Sequence, residues 1–162
     1  PVLGQARQRA RVAQARDMVA QIALAWQCYL VDYRMFPSQL DNDGVPDPTK
    51  PVALTEMNYD AVEILAGRSA NYNTLGSKEY LEFTTNEFNK AKQTGGLKDP
   101  WFQELYQFAL DNGVSGDNMY DGKVRVPHQT EELDKSVAAW SKGPDKMSIN
   151  DKSRGDDVKS WK

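Results

Sequence analysis

Residues 3–35 hold no proline, and their only glycine is Gly4. Ala, Gln, Arg and Leu dominate the stretch, and such residues lose little on entering a helix. Apolar side chains recur at Val12, Ala15, Val19, Ile22, Trp26, Tyr29 or Leu30, and Tyr33, the three-and-four spacing of a helical stripe. Pro37 ends it, because a residue before proline avoids the α region. A helix of about 33 residues is about 50 Å long. A compact chain of this size is about 40 Å across, so the helix is expected to overshoot its own body. From Val19 onward the stripe carries bulk suited to a core. Before that it is mainly alanine, with Ala6, Ala10 and Ala13 on one face. The first 16 residues read as a protruding half-helix whose partners lie outside the chain. Pro1-Val2-Leu3 begins in mid-pattern without a cap residue, as if a segment stood upstream.

The whole chain has 162 residues, which suits one domain. We divide it into the helix (1–36), a loop and short-helix region (37–98), and a sheet with a carboxy-terminal loop (99–162). With 40% hydrophobic and 27% charged residues, rods, collagens and wholly disordered chains are excluded. No run of 18 apolar residues exists, so no span is written in the sequence. The net charge of −3 excludes a globally basic nucleic-acid binder. Yet residues 1–34 carry +3, from five arginines against Asp17 and Asp32, leaving −6 elsewhere. Such an arm faces acidic lipid headgroups, acidic neighbours or simply solvent.

Residues 36–54 are rich in Pro, Asp and Gly and read as a loop, with Asp41-Asn42-Asp43-Gly44 as an ordinary Asp-Gly turn. A short helix is expected over 56–66, capped by Thr55 and ended by Gly67. Residues 77–92 hold a second short helix or an irregular segment. Strands are expected at 104–111, 123–126 and 136–141. The fold class that results is α+β: a long amino-terminal helix packed on a small antiparallel sheet of about three strands.

No nucleophile elbow, phosphate loop, dinucleotide fingerprint or zinc motif occurs, and no catalytic set is visible, so no enzyme is expected. His128, the only histidine, sits in a polar turn, and Cys28, the only cysteine, reads as buried packing. The four tryptophans read as core or rim residues. One segment stands out: Trp140-Ser141-Lys142-Gly143-Pro144-Asp145, followed by Asp151 and Gly155-Asp156-Asp157. Calcium takes six to eight hard oxygens, and adjacent carboxylates repel unless a cation neutralises them. Lys142, Lys146, Lys152 and Arg154 are equally able to neutralise them.

Several segments together carry a resemblance. They are the basic, alanine-rich helix 5–33 running into Phe36-Pro37, then Asp99-Pro100-Trp101 with Tyr106, then Ser141-Lys142-Gly143-Pro144-Asp145, and the ending Asp156-Asp157-Val158-Lys159-Ser160-Trp161. In this order they resemble the soluble part of type IV pilin-like proteins, and the major pseudopilins of type II secretion systems in particular. The family's usual Trp-Gly after Asp-Pro is Trp101-Phe102 here, and residues 72–96 exceed the minimal family domain. The resemblance implies a cleaved prepilin leader, a methylated first residue and an apolar helix half anchored in the inner membrane. It implies a periplasmic structural subunit that self-assembles through its helix with other pseudopilins, driven by the inner-membrane secretion machinery. It also implies calcium in the carboxy-terminal loop, held by Asp145, Asp156 and Asp157, with backbone oxygens near Trp140 and Gly143 as further ligands. The alternative within the same fold is a minor pilin-like module that docks substrate or DNA through residues 72–96.

Overall fold

The computed structural model describes residues 2–101, 104–114, 116, 118–126, 131–144 and 158–161. Its first element, α1 (Val2–Tyr33), is one uninterrupted helix. Arg34 closes it in the left-handed region at φ +57°, its amide bonded to the Leu30 carbonyl at 2.8 Å. The face predicted from spacing is the buried one: Ala15, Val19, Ile22, Trp26 and Tyr29 are within the core. Before Ala15 only Gln8 and Val12 are half-buried, and the described side chains around them are exposed.

That face lies across a three-stranded antiparallel sheet ordered β3 (Gln107–Leu110), β4 (Val137–Ser141), β5 (Val158–Lys159). Gln107 pairs with Trp140 and Leu110 with Val137; on the other edge Ser141 pairs with Val158. Strand side chains alternate between faces. Phe108, Leu110, Val137, Ala139 and Val158 turn toward α1, and Trp26 meets the Phe108 ring at 5.1 Å between centroids. Ala109, Ala138 and Trp140 turn the other way, under Val124, Val126, Leu133 and Trp161. The sheet is thus covered on both sides, which is why every residue of β4 is buried.

Some local expectations change. Residues 36–54 are not simply a loop: β1 (Ser38–Leu40) and β2 (Pro46–Pro51) form a two-stranded antiparallel ribbon. Three prolines in β2 hide the strand in the sequence, yet an edge strand tolerates residues that cannot donate. The turn between them is the expected Asp-Gly type. Asp41 Oδ1 accepts from the amides of Asp43 and Val45, and Gly44 sits at φ +77°. Residues 123–126 form no strand. Val124 makes a single bridge to Leu133, because this segment serves as a lid on the sheet's outer face rather than as an edge.

Helix α2 (Tyr59–Leu65) starts later than expected, with Asn58 as its cap instead of Thr55; Asn58 Oδ1 accepts from Ala61 N at 2.9 Å. Residues 55–57 are held extended, since Glu56 bridges Gln107 and the Thr55 carbonyl accepts from Phe108 N. Helix α3 (Thr85–Thr94) carries a full capping box between Thr84 and Glu87 and ends on left-handed Gly95. Cys28 is exposed, which overturns the buried reading. It neighbours Trp26 and Tyr29 in sequence but points about 100–200° away from them around the helix.

Gly96 sits at φ +152° where the chain passes Met57, and an added Cβ would fall 2.2 Å from the Met57 carbonyl oxygen. Gly95, at φ +79°, has open space around it. Gly96→Ala should therefore cost about 3 kcal/mol or more, against about 1 kcal/mol for Gly95→Ala. Urea unfolding of the two variants checks the order, and equal losses would mean that the close approach at Met57 is not rigid.

Candidate functional site

Two regions hold the residues singled out by the sequence. The first is the junction where the ends of several segments meet. Asp99, fully buried, accepts from Trp101 N through Oδ1 and from the Ser141 hydroxyl through Oδ2 at 3.2 Å. Ser141 Oγ in turn accepts from Gly143 N at 3.2 Å. Trp101 Nε1 donates to Gln8 Oε1 of α1 at 3.2 Å, and Lys142 reaches Glu104 at 3.7 Å. Trp161 stands edge-on to Trp140 at 6.0 Å. Helix α1, the 99–101 turn, the 141–144 turn and the chain end are thereby fastened into one unit. Burial, with the Asp99 carboxylate adding to it, pushes the Tyr106 phenol up from its ordinary value.

For the expected metal residues the outcome is partial. Trp140 lies inside β4, in register with Gln107 on one side and Lys159 on the other. Gly143 is buried at φ +68°, two residues past Ser141. Asp145, Asp156 and Asp157 lie outside the described residues, as does His128. What is visible is the pairing Ser141↔Val158, so the described chain leaves at Pro144 and returns at Val158 on the same end of one ladder. Among the described residues no group of three or more potential metal-ligating side chains gathers.

The second region is the outer face of α1. Leu3, Leu24 and Val31 are 76, 60 and 76% exposed. Ala6, Ala10, Ala13 and Ala20 are exposed on the same side, opposite the core. Arg7, Arg9, Arg11 and Arg16 make no ion pair among the described residues. The alanines of the first half are legible in the sequence as one face; the continuation of that stripe to Val31 is the structure's addition. The signal was present, as a second three-and-four series offset from the first.

Around the end of α1, Tyr29, Tyr33 and Tyr80 cluster, Tyr29 stacking on Tyr33 at 4.4 Å. Asp32 binds Lys78 at its surface and accepts from Tyr80 at 2.9 Å; these bonds hold its carboxyl below the usual range. Between α1 and α3 runs a groove of about 340 Å³, floored by Met18, Ala91, Leu97 and Tyr106 and edged by Lys90 and Lys98. No helix among the described residues is long and apolar enough to cross a membrane. Comparison with protein-family models, curated proteins and solved structures finds no match.

A buried carboxyl, Asp111, adds a measurable property. It is 2% exposed; Oδ2 accepts from Gly122 N at 2.8 Å, while Oδ1 has no hydrogen-bond partner among the described residues. Burial raises its pKa above the ordinary carboxylate value. A carboxyl raised in the folded state favours folding below its unfolded pKa, near 3.9, and that benefit is lost as pH rises through the folded value. Asp111→Asn, which does not titrate, should thus gain stability relative to the parent as pH climbs from about 4 to 7. Urea unfolding across that range checks the sign, and a constant difference between the two proteins would contradict it.

Proposed function

We propose that the chain is a non-catalytic structural subunit of a pilin-like filament, of the pseudopilus kind that serves protein secretion. The observation that carries this reading is the two-faced helix. One face of α1 is bedded in the sheet, and the opposite face is open along its length and largely apolar, with Asp17 and Gln27 among its members, while among the described residues the first turns touch the body only through Gln8 and Val12. A subunit that assembles helix against helix needs both faces. The junction supports the same reading, because the separate segments on which the resemblance rests pack against one another: Gln8 on Trp101, Asp99 on Ser141, and Ser141 paired with Val158.

In this proposal the body works in the periplasm and lines the outside of the filament. An apolar helix half upstream of Pro1 anchors the subunit in the inner membrane until the secretion machinery extracts it. Other pseudopilins are its neighbours. The experiment is mass spectrometry of the protein purified from its own cells, together with electron microscopy of filaments. An apolar segment of about 25–30 residues upstream, with a methylated first residue, is the expected result. A mature terminus near Pro1 would remove the anchor and sink the reading.

Calcium enters as part of the same proposal. Asp145, Asp156 and Asp157, with main-chain oxygens near Trp140 and Gly143, would hold one ion and close the loop that leaves and re-enters beside Ser141 and Val158. Hard oxygen ligands of this kind suit calcium. Asp156→Ala should lower the melting temperature in calcium and leave it unchanged in chelator. Equal losses in both would remove the ion from the account.

A second reading is favoured by the groove between α1 and α3. Its apolar floor and lysine edge suit a binding module of the same fold, a minor pilin that docks substrate or DNA. Copy number separates the two: a major subunit is abundant along the filament, whereas a binding module is scarce and sits at its tip.

A further inference from the structure

The β1–β2 ribbon stands out from the body. Its strands pack mainly on each other, and every residue from Gln39 to Val45 is exposed. At the tip Leu40 and Val45 are 37 and 56% exposed, and Asp43 makes no ion pair among the described residues. The tip is also held in one shape. Asp41 Oδ1 accepts from the amides of Asp43 and Val45, and Asp41 N donates to the Val45 carbonyl at 2.8 Å. A preformed turn loses little freedom when it docks. It presents two aliphatic side chains beside an unneutralised carboxylate.

The groove between α1 and α3 has the complementary chemistry. Its floor is apolar, and Lys90 and Lys98 edge it. On α1, Arg7 and Arg11 stand in line with Gln14 and Met18 of the groove wall, because steps of four, three and four follow one edge of a helix. Arg7, Arg11 and Lys98 make no ion pair among the described residues. Glu87, the acid of the lining, is bonded to Thr84 at the start of α3. A volume of about 340 Å³ is at the low end for a binding pocket, which suits the tip of a turn and not a whole helix. We infer that the Leu40–Val45 turn of one copy docks into this groove of a neighbouring copy, with Leu40 and Val45 on the floor and Asp43 against the basic rim.

The inference rests on the filament reading, in which an anchor upstream of Pro1 points every copy the same way. The ribbon is rooted beyond Tyr33, and the groove lies beside Met18, about 22 Å back along the α1 axis. Turn and groove are thus two different surfaces of one chain. Their contact is head-to-tail and repeats from copy to copy instead of closing a two-fold pair. Each contact is small beside a standard interface. It adds to the others along a filament, where neighbours are held at high local concentration. The uneven charge of the chain, +3 over residues 1–34 and −6 elsewhere, favours the same stacking of one copy's basic arm on the next copy's acidic body.

Paramagnetic broadening between copies tests this, because it reports weak contacts. In a Cys28→Ser background of the 162-residue chain, Val45→Cys carries a nitroxide. It is mixed at millimolar concentration with isotope-labelled chain that bears no nitroxide. The amides of residues 14–18 and 90–98 should broaden. Lys98→Glu in the receiving chain should cut that broadening at least about fivefold, and Asp43→Lys in the donating chain should restore it. Circular dichroism of each variant separates a lost contact from a lost fold. Broadening centred elsewhere, no broadening at all, or broadening that Lys98→Glu leaves unchanged overturns the inference. Groove signals that shift with double-stranded DNA and not with a second copy also overturn it, and hand the groove to the binding-module reading. A negative result leaves the filament reading standing, since the native amino terminus decides that.

Discussion

The structure depends on one contact: the bedding of α1 into the inner face of the β3–β4–β5 sheet. Val19, Ile22 and Trp26 are fully buried there, and Trp26 lies against Phe108. Burying a large apolar side chain contributes about 1.5–3 kcal/mol, so these three positions outweigh any surface pair in the chain. The sheet could not stand alone. Its strands have four, five and two residues, too short for independent stability. The helix supplies the missing layer on one face, and Val124, Val126, Leu133 and Trp161 supply it on the other.

Polar links then fix what apolar burial leaves free to slide. Asp99 ties the 99–101 turn to Ser141, and Ser141 ties the next turn through Gly143. A fully buried carboxylate is costly unless it is hydrogen-bonded, and here its bonds run to two different parts of the chain. Asn58, Thr84 and Gly95 do the equivalent work for the short helices, setting where each begins or ends.

Legibility in the sequence followed the length of each pattern. The long helix and its buried face could be read because four turns of three-and-four spacing repeat the same message. Gln107–Leu110 and Val137–Ser141 could be read because bulky residues are bounded by turn formers. The ribbon at Ser38–Leu40 and Pro46–Pro51 could not, since prolines argue against a strand unless its edge position is known. A two-residue strand such as Val158–Lys159 has no period at all. Val124 and Val126 alternate like a strand, but alternation reports which side is buried and not whether the backbone is paired. Cys28 misled because sequence neighbours on a helix do not share a face. Of the ligands that the resemblance implies, Trp140 and Gly143 stand beside the turn that Asp99 secures, and Asp145, Asp156 and Asp157 lie outside the described residues.

The unbroken helix has a mechanical consequence. Residues from Ala15 to Tyr29 are clamped by the core, while the turns before them are held at their side mainly by Gln8 on Trp101. That is a beam clamped along most of its length, with a prop near its amino-terminal end. A pull applied at the amino terminus loads the backbone hydrogen bonds of α1 in series and reaches the core as shear along the helix axis. Shear must shift many side chains at once, whereas peeling breaks them one at a time. The Gln8–Trp101 prop resists sideways bending and so keeps an axial load from becoming a peel.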